Sequence, residues 1–570
     1  MSSEPPPLSL PGRLLAAASE NAPILAGIAL AIPTLVAFYP PMNDLPMHEG
    51  VVGILAHVGD DAFFPASLYQ VNLGHPNQLF YYLAWFFTFV VSPAVACKIV
   101  IAGSQIATLW AASRFADHLD RSRWGALLVA PLALGFTYWW GLVTNLLGFA
   151  AFLFVLPAID DAARAPSARG MAKTCGLLVL VYLAHESLYV AAVGVLIALA
   201  ILLPLSLRAT TMRLAPAGLA IAIAAAHQWW AARFFTAVIK QSSPTHFLPL
   251  SEKLRFFPTV LFGSHDLSAQ LLLLGLALTG IAGLVLARVR EPPPPPGHGE
   301  DSYGPDDRDL PFPRTASGRL QAKWHHYRFE LLGLVFLVMY FIVPFSWRGA
   351  TLLHERFLGP AWALLVVCAA PHRHVRLVPK LAASVLSIGI MLLSWPQFVD
   401  AGATGRDLDA LIVRIPRGSA VASCSFKTQL AETRIFSPSV GPARTVAVVG
   451  GRSSLTLTVS PISPVLIPPA YRWDEIEARH QSGASGFVPA HDLRFYGFLI
   501  VRANVGQAQA LMEGALAPDA DLVEKRGEWM LFRSKHPLEP ITTPPPPPPA
   551  RLETLAARIQ FLASQTGAAP

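Results

Sequence analysis

In the stretch NDLPMHEG, residues 43–50, Asp44 precedes His48 by four positions and Glu49 follows at once. A spacing of four puts Asp44 and His48 on one face of a helix. There they suit a general base and its partner, or two ligands of a divalent metal. Asp44 also stands just before Leu45 and Pro46, where a helix would begin, so its carboxylate can instead cap that helix. Further along come His57, Asp60, Asp61 and His75, of which Asp60 and Asp61 follow Gly59 and read as a turn. No Lys or Arg occurs between Arg13 and Lys98, so these acids have no local ion-pair partner in a chain whose formal net charge is +7.

Other polar side chains interrupt apolar stretches. Asn145 in WWGLVTNLLG can hydrogen-bond a sugar or cap a helix. His185 and Glu186 in YLAHESLY read as a water-exposed hairpin tip, or as a proton relay if the run is one long helix. KQSSPTHFLPLSEKLRFF carries Lys240, His246, Lys253 and Arg255, and SWRGATLLHERF carries Arg348, His354, Glu355 and Arg356. A cation at a membrane surface can grip a phosphate, Arg with a bidentate fork, or can snorkel among lipid headgroups. An acidic first loop facing basic later loops suits transfer of a sugar from a lipid phosphate. The carboxylate deprotonates the acceptor hydroxyl or holds a metal, and a guanidinium stabilises the departing phosphate.

These groups need a membrane scaffold to hold them. The 570 residues are 53% hydrophobic and only 14% charged, with mean hydropathy +0.46, where soluble domains carry about 25% charged residues. Apolar runs recur as candidate spans at 19–39, 95–113, 124–139, 142–158, 172–184, 188–204, 215–236, 268–287, 329–346, 356–371 and 380–396. The expected fold is a polytopic α-helical membrane protein of about 11–12 spans, occupying residues 1–397. The first span reads as an uncleaved anchor, since it ends in FYPP with no small-residue cleavage site. Basic clusters at Arg114–Arg123, Arg164–Lys173, Arg208–Arg213 and Arg373–Lys380 mark the cytoplasmic side, leaving the N-terminus inside and everything after 397 outside. That places the protein in a bacterial inner membrane with a periplasmic C-terminal domain. The basic residues thus serve orientation, and nucleic-acid binding is excluded. PNQLFYYLAWFFTFVVSP, 76–93, reads as an interfacial or re-entrant helix, because a further crossing there would put the Arg114 cluster outside.

Residues 290–328 form a Pro-rich cytoplasmic linker, 398–540 a soluble α/β domain, and 541–570 a Pro-rich tail with a short amphipathic stretch, LETLAARIQFLA. Linker and tail read as spacers. In the α/β domain SAVASCSF and FYGFLIVRA are strand-like, VGQAQALMEGAL is helical, and DLVEKRGEWMLFR is a hairpin turning at Arg526-Gly527. GRSSLTL near Gly450 is a glycine turn without the P-loop pattern. The cysteines at 97, 175, 368 and 424 show no metal spacing and no disulfide framework.

NDLPMH at 43–48, GHPNQLFYYLAW at 74–85 and the order of spans resemble the GT-C superfamily of integral-membrane glycosyltransferases, over about residues 15–400. The resemblance implies an inverting enzyme that moves a sugar from a polyprenyl-phosphate donor to an extracytoplasmic acceptor, with membrane lipid around it. It gives Asp44 the role of catalytic carboxylate. His48, Glu49, Asn145, His246, Arg348, His354 and Arg356 form the expected substrate-binding set, with Arg348 or Arg356 on the phosphate. The family's acidic pair is here Asn43-Asp44, a single carboxylate, so a divalent metal stays an open expectation. No W-W-D-type motif of the oligosaccharyltransferases occurs in the outer domain. The competing readings are a transporter or envelope-assembly component, and a polymerase or ligase of lipid-linked glycans. Against a transporter stands the lack of matching Gly/Pro-broken spans in two halves.

Overall fold

A computed structural model of the chain describes residues 17–65, 68–202, 207–235, 245–291, 323–347, 351–372, 375–426, 438–455, 457–458, 462–480, 482–540, 544–549 and 552–566. Most of the expected linker, and Arg348, lie outside the described residues. The chain is an integral membrane protein with a helical bundle followed by an α/β domain. Among the described residues Pro93–His118, Val143–Arg164, Ala209–Trp230, Leu267–Val289 and Leu377–Ile412 are long and apolar enough to cross a membrane. Shorter apolar helices, Ala22–Val36, Ala168–Ala184, Glu186–Leu202, Arg328–Ile342 and Glu355–Cys368, pack among them. Leu271, Leu278, Ile388 and Leu392 stay exposed on the bundle, as lipid contact requires.

One expectation about the spans is corrected. The segment 124–139 is no continuous helix: it divides into Trp124–Leu127, a 3-10 turn Ala130–Ala133, and Phe136–Trp140. Pro131 lacks an N–H, and a Cβ on Gly135 would lie 2.7 Å from the Leu261 carbonyl oxygen, so close packing replaces regularity here. Irregular backbone is tolerated in a membrane where protein covers it, and Gly125–Pro131 are all buried. The apolar run 380–396 lies inside a longer helix, Leu377–Ile412, whose 36 residues run on into the α/β domain. The segment 76–93 holds only a nine-residue helix, Leu79–Phe87, where crossing would need about 20 residues.

The bundle has two polar ends. At one, Asp160 accepts from Arg328 at 2.7 and 2.8 Å and lies 2.9 Å from His118 Nε2 and 3.2 Å from Arg164. Ser122 N–H donates to the Pro371 carbonyl there, while at the far end of the same irregular segment Asn43 N–H donates to the Trp139 carbonyl.

The α/β domain is joined to that second end. In chain order the strands are β1 (Gln70–Val71), β2 (Ala420–Ser425), β3 (Arg452–Ser453), β4 (Val465–Leu466), β5 (Phe498–Arg502), β6 (Ala520–Arg526) and β7 (Trp529–Ser534). The main sheet runs β3-β2-β5-β7-β6, with β2 parallel to β3 and β5 and with β7 antiparallel to both its neighbours. Alternation sorts its side chains: Ala422, Leu499 and Phe532 face one core, while Val421, Ile500 and Leu531 face Leu408, Leu411 and Ile412 of the long helix. The β6–β7 hairpin turns at Gly527, whose φ of +51° favours glycine. The tail is not a bare spacer, since Leu555–Thr566 is a helix whose Leu555 and Ile559 are buried in the domain and whose Arg558 pairs with Asp519 at 2.6 Å.

The first loop is bound to this domain. β1 pairs antiparallel with β4, and Asn72 N–H donates to the Pro464 carbonyl. The helix Leu45–His57 packs on Thr445–Val449, with Gly50 and Gly53 on the contact: a Cβ on Gly53 would lie 2.6 Å from the Ala447 Cα.

Candidate active site

Asp44 stands at the N-terminal boundary of the Leu45–His57 helix, but its side chain makes no capping hydrogen bond. The capping expectation is therefore corrected; backbone geometry and Pro46 start the helix. The carboxylate accepts from Asn43 Nδ2 at 3.0 Å, and among the described residues it has no ion pair. Burial pushes its acid up to about 7, only partly opposed by that hydrogen bond. Its backbone is fixed from the second loop: Asp44 N–H donates to the Trp140 carbonyl at 3.0 Å. Gly141, at φ +88°, lets the loop approach so closely that a Cβ there would lie 2.5 Å from the Asp44 nitrogen.

His48 is buried and neutral, pushed down to about 4 by burial despite a hydrogen bond to the Gly141 backbone. The Gly141 carbonyl takes one ring N–H, so Nδ1 accepts from the Tyr81 hydroxyl at 2.7 Å. His48 thus ties the Gly141 turn to the start of this helix, and its backbone N–H donates to the Asp44 carbonyl at 3.2 Å. The Tyr81 ring sits where the charge of Asp44 acts on it.

Glu49 faces the other way. It is buried 3.3 Å from Arg444 of the α/β domain, which lies 3.3 Å from Asp409 as well. Its expected substrate contact is corrected to an interdomain ion pair. Asn145 lies in the first turn of Val143–Arg164, 7% exposed, and among the described residues its Nδ2 has no hydrogen-bond partner. One turn on, a Cβ on Gly148 would lie 2.4 Å from the His185 Cβ. His185 is buried at a sharp break between two helices, so neither the exposed tip nor the single long helix holds. Glu186 N–H donates to Asn77 Oδ1 at 2.8 Å, tying this break to the first loop.

Arg356 begins the Glu355–Cys368 helix at this same end, with Glu186 and Glu355 the charges acting on it. Its Nη2 donates to the Thr351 carbonyl at 3.2 Å, and its buried Nε has no hydrogen-bond partner among the described residues. His354 is fully buried against Tyr340 and Phe345, with Nδ1 2.9 Å from Glu355 Oε2 and Nε2 unpartnered. His246 is exposed and pairs through its backbone with Ser346, joining the two basic loops. Lys253 is no phosphate ligand, because its Nζ donates to the carbonyls of Phe341 and Val343 at a helix C-terminus. Arg348 lies outside the described residues.

The structure thus gathers Asp44, Asn145, His354 and Arg356 at one end of the bundle. Sequence reading missed Gly141, whose signal was a glycine after two tryptophans, and Tyr81 as the partner of His48. Among the described residues no three His, Cys, Asp or Glu side chains converge to hold a metal ion. Asn43-Asp44 offers one carboxylate, so these residues do not form a protein-only divalent site.

No family model matches the chain, and no curated protein matches it by sequence. Among solved structures it is similar to arabinofuranosyltransferase AftD from Mycobacteria, at TM-score 0.46 and 14% identity over 92% of this chain. It spans 40% of the length of that protein. It is also similar to ArnT from Cupriavidus metallidurans bound to undecaprenyl phosphate, at TM-score 0.47 and 10% identity, covering 90% of this chain and 98% of that one. Both likenesses are remote.

Proposed function

We propose that the chain is a membrane glycosyltransferase, moving a sugar from a polyprenyl-phosphate donor to an acceptor hydroxyl on the extracytoplasmic side. The observation that carries this reading is Asp44: a carboxylate without a cationic partner, held by the Gly141 turn and poised near neutral pH. Such a group removes the acceptor proton as the hydroxyl oxygen bonds to the anomeric carbon. The bond from that carbon to the phosphate oxygen breaks from the opposite face, giving inversion and a free lipid phosphate. Arg356 is the cation suited to the phosphate charge, and among the described residues Asn145 Nδ2 and His354 Nε2, buried at the same end, have no hydrogen-bond partner. The periplasmic placing of this end follows from the basic clusters at the other.

Asp44→Asn tests the reading. The amide keeps the shape and cannot take a proton. Purified variant should fold with wild-type yield and release polyprenyl phosphate from a lipid-phosphate sugar about 10²–10⁴-fold more slowly. Turnover near the wild-type rate would remove Asp44 as the base.

A further inference from the structure

The proline run 544–549 of the tail meets the α/β domain at a histidine whose two ring nitrogens both face acceptors. His491 Nε2 lies 2.8 Å from the Pro546 carbonyl oxygen, and Nδ1 lies 2.7 Å from Asp492 Oδ1. A carbonyl oxygen has no proton to give. Asp492 has none to give either, because its two oxygens already accept from Arg479 Nη1 and Nη2, His480 Nε2 and the Val488 N–H. Burial alone would raise its acid, but the bonds from His480, His491 and Arg479 hold it well below the usual carboxylate range. His491 must therefore donate at both nitrogens, and an imidazole does so only as the imidazolium.

Around His491 stand Asp492 on its own turn and, on the Asp474–His480 helix, Arg479 and His480. Arg479 is permanently charged. His480 is pushed down by burial and stays neutral, giving its one ring N–H to Asp492. Phe495 covers the His491 ring at 5.3 Å, and Arg494 is exposed beside Glu539. The proline run brings no titratable group. Proline also has no N–H, so such a run can be tethered through its backbone only at its carbonyls. Beyond it the tail helix has anchors of its own, in buried Leu555 and Ile559 and in the pair of Arg558 with Asp519.

We propose that His491 is a pH-sensitive clasp, which grips the proline run at Pro546 as the imidazolium and releases it on losing its Nε2 proton to solvent. Asp492 holds the other proton on Nδ1, so Nε2 is the nitrogen that then turns a lone pair toward the Pro546 oxygen. The clasp is closed at acid pH and opens as pH rises. Histidine is the side chain whose charge ordinarily changes between about pH 5 and 8. The tail helix stays docked throughout, so the run becomes a slack strap between two fixed points. The proposal is independent of the transfer reading, since none of these residues belongs to the Asp44 machinery.

Spin-label mobility in the full chain in detergent tests it. A nitroxide is placed on Pro547→Cys, an exposed position of the run, with the half-buried Cys175 replaced by Ser. The label should be immobilised at about pH 5.5, and the ratio of mobile to immobile label should rise about 10-fold by about pH 8.5. His491→Gln, uncharged at both values, should give one spectrum at both. Gel filtration reports whether that variant folds, and if it does not, the titration with His491 in place still decides. A label equally immobile, or equally mobile, at the two pH values would overturn the proposal. So would a transition that survives in His491→Gln, which would assign the response to His536 beside Asp519 instead.

Discussion

At one end of the bundle Asp160 is enclosed by Arg328, Arg164 and His118, and both its oxygens accept from a guanidinium. At the other end, among the described residues, the Asp44 carboxylate has only the amide of Asn43. The two carboxylates belong to one scaffold, yet one is neutralised and the other is left to bear its own desolvation. A buried charge kept for structure is paired, since removing one partner strands the other. A carboxylate held unpaired in a cleft has a shifted acidity and marks a functional site. The same contrast runs through the site end itself, where Glu49 has Arg444 and Lys253 has two backbone carbonyls, whereas Asn145 Nδ2 and His354 Nε2 have none.

The contrast breaks most easily at Asp160. Asp160→Asn leaves Arg328 buried without its counter-charge, and should cost about 3–5 kcal/mol, read as lost folded yield and a lower melting temperature in detergent. A variant as stable as wild type would mean that the pairing is incidental and that the two ends do not differ in kind. Next in size, Arg356→Lys keeps the charge but loses the fork, and should weaken binding of the lipid-phosphate donor about tenfold, with folding unchanged. Unaltered donor affinity would leave Arg356 a headgroup-facing residue. The smallest effect is expected at Glu49→Gln. Arg444 keeps Asp409 as a partner, so the loss should be about 1 kcal/mol in unfolding, with transfer close to wild type. A large drop in transfer would return Glu49 to the substrate-binding set.

Much of the scaffold was legible because its signals are local. Long apolar runs located most of the helices, short apolar runs of strand type found β2 and β5, and Arg526-Gly527 placed the hairpin turn. The segment 124–139 misled because composition says only that a segment is apolar. Whether its backbone is regular depends on what covers it, here Leu261, Val366 and Ala370 from distant parts of the chain. The boundary at 397 marked where the apolar run ends, but the helix continues because its later turns bury Leu408 and Ile412 against the sheet. At the site, Asp44, Asn145, His354 and Arg356 could be picked out as polar groups at the ends of apolar runs. The absence of Lys and Arg between 13 and 98 is legible in the sequence. It could not reveal that Glu49 finds Arg444 nearly four hundred positions away, or that Lys253 is consumed by a helix end, because such partners exist only once the chain has folded.

The claim that Asp44 is left unpaired in order to accept a proton is tested most directly by the pH dependence of transfer at low acceptor concentration. Burial holds the Asp44 acid at about 7, and the base form carries the reaction. The rate should therefore climb about tenfold per pH unit below that value and level off above it. A rate that stays flat from about pH 5 to pH 8, as an ordinary carboxylate of pKa near 4 would give, contradicts the account.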